Sequence, residues 1–161
     1  PRFKLERWET GASCFVRYTI TRPDGRAASR VFNPDGFFRL HVGAGVVAVF
    51  VEADLGTESV TRRFRAKIHA YRTYVRSGEY QARFAQKRFR VLVVTTSWAR
   101  VANLAALAEE EQAGHVFWFT TSDALLAATN FLMEPIWRQA AEAKPAIFLD
   151  PTQVVGQLAP V

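Results

Sequence analysis

Residues 46 to 54, Val46-Val47-Ala48-Val49-Phe50-Val51-Glu52-Ala53-Asp54, are uninterruptedly apolar until two acids enter at the end. Side chains on a strand alternate between faces, so Glu52 and Asp54 point the same way as Phe50. A strand that is apolar on both faces belongs in the middle of a sheet, covered on both sides. Two carboxylates on one face at its end repel each other, and each is costly to desolvate unless a cation or a proton relieves it. The run therefore predicts a central strand ending in a divalent metal site.

The rest of the chain can supply the cover such a strand needs. Of 161 residues, 49% are hydrophobic and 13% aromatic, enough for one domain with a substantial core and not the composition of a disordered chain. The formal charge is +6 and arginine greatly outnumbers lysine, which favours a phosphate-bearing or nucleic-acid partner. A single cysteine, Cys14, excludes an internal disulfide and any multi-cysteine zinc or iron–sulfur site, and it fits a reducing, cytoplasmic setting. No stretch approaches the roughly 18–20 uninterrupted apolar residues of a membrane span, and no secretory leader is visible. The chain opens at Pro1 without an initiator methionine, so further sequence is expected upstream.

Turn signals divide the chain into elements. Cys14–Thr21 reads as a strand, Arg22-Pro23-Asp24-Gly25 as a turn, and 28–32 as a second strand. Asn33-Pro34-Asp35-Gly36 precedes a strand over 37–42, and Gly43-Ala44-Gly45 leads into the apolar run, which gives an antiparallel meander. After Gly56 the pattern changes. Thr57 or Ser59 is placed to cap a helix reaching about Arg76, with Gly78 beyond its end. A strand over 90–96, an Ala- and Leu-rich helix over 97–111 and a strand over 115–121 follow, an order that implies right-handed parallel crossovers. Ser122 or Asp123 caps a further short helix, 146–149 reads as a terminal strand, and 151–161 as a tail after a single domain over 1–150. The expected architecture is α/β, a mixed central sheet, antiparallel in its N-terminal half and parallel in its C-terminal half, flanked by helices. Restriction-endonuclease-like folds have that order of elements.

The helix after the acidic strand carries the second chemical clue. On a helical wheel Val60, Phe64, Ile68, Tyr71 and Val75 form one apolar stripe, and Lys67 falls inside it. Such a lysine either snorkels to the edge of the core or pairs with the carboxylates of the neighbouring strand. In the second case it is placed to orient a metal-bound water and to stabilise charge developing on a phosphate. Tyr71 lies one turn further along the stripe, a core ring whose hydroxyl needs a polar partner near the site.

Asp35 has two readings of its own. Asn-Pro-Asp-Gly satisfies the preferences of a type I turn, and Pro23-Asp24-Gly25 repeats the tripeptide where only a turn is expected. Asp35 nevertheless completes a set of oxygen donors. Asp35, Glu52 and Asp54 around Mg2+ or Mn2+, with Lys67 beside them, are the residue types that metal-assisted phosphodiester hydrolysis requires. Arg62, Arg63 and Arg76, together with Tyr71, are the candidate nucleic-acid contacts. Arg65 and Arg72 read as a solvated helix surface. His41, His69 and His115 lack the i, i+4 spacing of a helical zinc pair, and no glycine-rich phosphate loop or nucleophile elbow is present. Trp8, Trp98, Trp118 and Trp137 are expected in the core, with exposed ones free to stack on bases.

Taken together, Phe32-Asn-Pro-Asp-Gly-Phe-Phe, Phe50-Val-Glu-Ala-Asp-Leu-Gly-Thr-Glu58, Lys67-Ile-His-Ala-Tyr71, Val91-Leu-Val-Val-Thr-Thr-Ser and Phe117-Trp-Phe-Thr-Thr resemble the bacterial replication-relaxation family. These segments span about 30–125. The resemblance implies DNA as partner, a role in plasmid replication and mobilisation beside other replication or transfer proteins, and a winged-helix portion upstream. That family in turn resembles PD-(D/E)xK phosphodiesterases. Pro34-Asp35 and Glu52 fit the pattern, Asp54 stands where the motif has lysine, and Lys67 is the lysine moved to the following helix. The implied activity is Mg-dependent nicking or cleavage of DNA. The alternative is a catalytically inactive DNA-binding or protein-interaction domain, with Glu52 and Asp54 as structural partners of Lys67 and nearby arginines.

Overall fold

The structure, a computed structural model, describes residues 3–43, 45–56, 60–86, 88–142 and 144–149. The expected caps Thr57 and Ser59, Glu58 of the acidic motif, the side chain of Val60, and the tail over 151–161 lie outside the described residues.

Strand β1 (Phe3–Thr10) is followed by a short 3-10 turn, then β2 (Val16–Thr21), β3 (Ala27–Phe32), β4 (Gly36–Val42) and β5 (Gly45–Asp54). Helices α1 (Val60–Arg76) and α2 (Glu79–Phe84) come next, then β6 (Arg90–Thr95), α3 (Trp98–Glu110), β7 (Phe117–Thr121), α4 (Ser122–Ala127) and β8 (Arg138–Gln139). Six strands form one mixed sheet in the order β1-β4-β5-β6-β7-β8. β5 is its seam, antiparallel to β4 on one side and parallel to β6 on the other. The apolar run is thus central and covered on both faces, as its composition requires.

Alternation along the strands sorts the interior into two cores. Ala48 and Phe50 of β5, Val91 and Val93 of β6, and Phe117 and Phe119 of β7 face α1, α2 and α3 together with Phe64, Ile68, Tyr71 and Leu104. Val47 and Val49, Leu92 and Trp118 face the opposite way, onto Trp137, Phe148 and Leu149 of the C-terminal segment. Arg90 closes that second core. Its guanidinium lies 5.0 Å from the Phe148 ring centre and 5.3 Å from that of Trp118, and burial lowers its pKa to about 10.

Several sequence expectations require correction. β2 and β3 do not continue the meander but form a separate two-stranded sheet. The place beside β4 is taken by β1, an antiparallel edge strand with a bulge between Leu5 and Arg7. β1 is exposed and rich in Lys, Arg and Glu, which suits an edge and leaves no apolar signal to read. Helix α2 stands outside the expected elements. The expected terminal strand over 146–149 reduces to a single bridge between Ala146 and Trp137, and the last sheet strand is β8, antiparallel to β7. α4 is capped by Thr121, whose hydroxyl accepts from the Ala124 N–H at 3.1 Å, rather than by Ser122 or Asp123. Trp118 and Trp137 are core residues, whereas Trp8 and Trp98 are exposed. No helix among the described residues is long and apolar enough to cross a membrane.

Candidate functional site

Two Pro-Asp-Gly tripeptides adopt different geometries, and the difference builds the site. Asp24 stays within its own turn, where its Oδ1 accepts from the Arg26 N–H at 3.0 Å and Gly25 takes a positive φ of 78°. Asp35 instead is tied to β5. Its N–H donates to the Val51 carbonyl at 3.1 Å, and its Oδ2 accepts from the Ala53 N–H at 2.8 Å. Gly36 permits the approach, because a Cβ there would lie 3.3 Å from the Cβ of Val51. Asp35 is thereby held beside the end of the central strand with its side chain 52% exposed.

Glu52 lies on the same strand face as Phe50 and is 2% exposed. Two groups from α1 meet its carboxylate. Lys67 Nζ donates to Oε2, and Tyr71 OH donates to Oε1 at 2.6 Å. The same ammonium lies 3.9 Å from Asp35 Oδ2. Lys67 and Tyr71 are one helical turn apart, so the helix presents both to one strand position. Burial raises the pKa of Glu52, opposed by Lys67 and the Tyr71 hydroxyl and reinforced by the charge of Asp35. The Tyr71 phenol is pushed well above its ordinary value, by burial first and by Glu52 second.

Asp54 turns to a different partner. Arg100 in the first turn of α3 grips it through two nitrogens, with Nη2 to Oδ1 at 2.7 Å, and Thr95 Oγ1 donates to Oδ2 at 2.7 Å. Strand register puts Thr95 beside Asp54, and Ser97 caps α3 by accepting from the Arg100 N–H. The hydrogen bonds from Arg100 hold the Asp54 carboxyl below its usual range, against the opposing effect of its partial burial.

Asp35, Glu52 and Lys67 therefore meet, and Asp54 stands apart with Arg100. Among the described residues no group of three or more His, Cys, Asp or Glu side chains is arranged to hold a metal ion. The donor set expected for Mg2+ or Mn2+ does not fit as a three-carboxylate site, since Asp35 and Glu52 share an ammonium and Asp54 faces a guanidinium. Sequence reasoning missed Arg100 and Thr95. The available signal was a lone arginine in the opening turn of an Ala- and Leu-rich helix that follows directly on the strand next to β5.

The expected nucleic-acid contacts divide as well. Arg62, Arg63 and Arg76 are exposed on α1. Tyr71 is 1% exposed, so it is a core and site residue and offers no surface to DNA. Arg65 and Arg72, expected on a solvated face, pair with the end of α3: Arg65 with Glu110 and Glu111, and Arg72 with the Glu111 carboxylate and carbonyl.

A model of the replication-relaxation family matches residues 1–88. The chain belongs to that family. The match covers Asp35, Glu52, Asp54, Lys67 and Tyr71 and begins at the N-terminus. It does not extend to the Thr-Thr-Ser and Phe-Thr-Thr segments of β6 and β7, nor to Arg100. Membership points to a role in plasmid replication and mobilisation and to interaction with DNA and replication factors. No curated protein and no solved structure matches the chain.

Proposed function

We propose that this is a DNA-binding domain of a plasmid replication or mobilisation protein, built on a nuclease-like scaffold whose acidic cluster is closed by the protein's own cations. One observation carries the closed-cluster reading: Glu52 and Asp54 are each matched by a basic side chain from a different helix, Lys67 and Arg100. Family membership, the charge of +6 and the exposed Arg62, Arg63 and Arg76 support DNA as the partner. Each arginine against a phosphate releases condensed counterions, so affinity should fall steeply with salt.

Mg- or Mn-dependent phosphodiester hydrolysis by a PD-(D/E)xK-type centre is the second reading. It is favoured by the meeting of Asp35, Glu52 and Lys67 at one point from a turn, a strand and a helix. Supercoiled plasmid incubated with the domain in Mg2+ or Mn2+ separates the two. Retention of supercoils, with salt-dependent binding in a gel-shift assay, is the outcome of the first reading. Nicking that Glu52→Ala abolishes would establish the second, and absence of DNA binding at low salt would remove the first.

A further inference from the structure

The two-stranded ribbon of β2 and β3 is anchored along one face and bare along the other. On the anchored face Val16, Tyr18 and Phe32 enter the core beneath α1. The Tyr18 hydroxyl donates to the Ala70 carbonyl at 3.3 Å, and its ring lies 5.2 Å from that of Tyr74. The Phe32 ring lies 4.9 Å from that of Tyr71. The ribbon thus rests on the helix that also carries Arg62 and Arg63. Its tip is closed by the Gly25 N–H, which donates to the Arg22 carbonyl at 2.9 Å.

Strand alternation turns the other face outward. Arg17 stands opposite Val31, Thr19 opposite Ser29 and Thr21 opposite Ala27, and all six are exposed. This face carries no acid, and it presents a guanidinium, three hydroxyls and the apolar side chain of Val31, which is 54% exposed. Arg22 and Arg26 flank the tip, and Arg30 is exposed on β3. None of the four arginines forms an ion pair among the described residues. The acids nearby are occupied otherwise: Asp24 Oδ1 accepts from the Arg26 N–H, and Glu79 Oε1 accepts from the Thr19 N–H at 3.3 Å, along the free edge of β2.

We infer that this ribbon lies in the major groove of duplex DNA, with its outer face on base edges and Arg22 and Arg26 on the flanking phosphates. The inference rests on the DNA-binding reading and names the element that makes the contact. A two-stranded ribbon fits the groove, which is about 12 Å wide. Its side chains suit what the groove displays: arginine pairs with guanine, threonine and serine with any base edge, and an apolar group with the thymine methyl. Anchoring on α1 holds that face in place before DNA arrives, which lowers the ordering cost of binding. The major groove of duplex RNA is too deep and narrow for such an element, so the fit is to DNA.

The test is fluorescence anisotropy of the whole chain on a labelled DNA duplex across a salt series. The double variant Arg22→Gln, Arg26→Gln should lower the slope of log affinity against log salt by about two. Arg17→Gln should weaken binding about tenfold, and Thr19→Val, close in shape and suited to a strand, should weaken it by about threefold or more at unchanged melting temperature. A duplex whose cytosines carry glucosylated 5-hydroxymethyl groups, which fill the major groove and leave phosphate charge and minor groove intact, should bind at least about tenfold more weakly. Arg138→Gln in β8, separated from β5 by two strands, should leave binding unaltered. The inference alone is overturned if DNA binds but the ribbon variants match the parent, if the glucosylated duplex binds as well as the plain one, if duplex RNA binds as well as DNA, or if Arg138→Gln costs as much as Arg17→Gln. Absence of DNA binding at low salt overturns it together with the reading on which it rests.

Discussion

Tyr71 donates its phenolic hydroxyl to Glu52 at 2.6 Å, and both side chains are enclosed. The pair fixes the position of the acidic strand end against α1, because a buried carboxylate that loses a donor keeps its desolvation cost. Tyr71→Phe preserves the ring packing and removes only that donor. The expected result is a loss of about 1–3 kcal/mol in urea unfolding, with the Glu52 pKa, followed by NMR, moving further up.

Lys67 is 40% exposed while the Glu52 side chain is 3% exposed, so the two partners of this ion pair differ in what they lose when separated. Lys67→Met leaves the buried carboxylate without its cation. A fully buried pair would lose about 3–5 kcal/mol, and the exposure of the lysine reduces the expectation to about 1–2 kcal/mol. Adding Glu52→Gln should recover part of it, and a double-mutant cycle from denaturant unfolding measures the coupling. If Lys67→Met were as stable as the parent, the pair would have no structural role.

The pH dependence of Glu52 has a definite sign. Its folded pKa lies above the ordinary 4.5, because burial outweighs the help of Lys67 and Tyr71. The folded state then holds the proton more tightly than the unfolded chain, so the stability contributed by that proton is full below 4.5 and is lost as pH rises through the folded value. Glu52→Gln should flatten this part of the stability profile, read as melting temperature against pH.

Asp54 has the opposite sign. Arg100 holds its folded pKa below the ordinary 3.8, so its contribution is present above that value and disappears as pH falls through the folded one. Asp54→Asn should lower stability at neutral pH and leave the acid limb of the unfolding curve less steep. Arg100→Gln should produce the same change, since the two residues act as one pair.

The exposed arginines of α1 predict a salt effect. Removing Arg62 or Arg63 should weaken DNA binding to a similar degree for unrelated sequences, and for each phosphate no longer neutralised the slope of log affinity against log salt should fall by about one. Filter binding across a salt series measures it. An unchanged slope in Arg62→Ala and Arg63→Ala would place the DNA contact elsewhere.

Local patterning was enough to set the central strand, its antiparallel and parallel neighbours and the inward lysine, because period-two and period-3.6 alternation are properties of short stretches of chain. It left β1 illegible, since an exposed edge strand carries charges in place of an apolar alternation. Glu52 with Lys67 was readable as one of two options, since a stripe on one helix must dock somewhere and its lysine must either pair or escape.

Which cation answers which acid is settled by packing alone. Glu52 and Asp54 share a strand face, yet separate helices reach them, and the choice between Lys67 and Arg100 depends on how α1 and α3 lie on the sheet. Asp35 shows the same limit. Its tripeptide is identical to the one at Asp24, and what sets it apart is the backbone of β5 within hydrogen-bond reach, a non-local partner that no turn signal encodes.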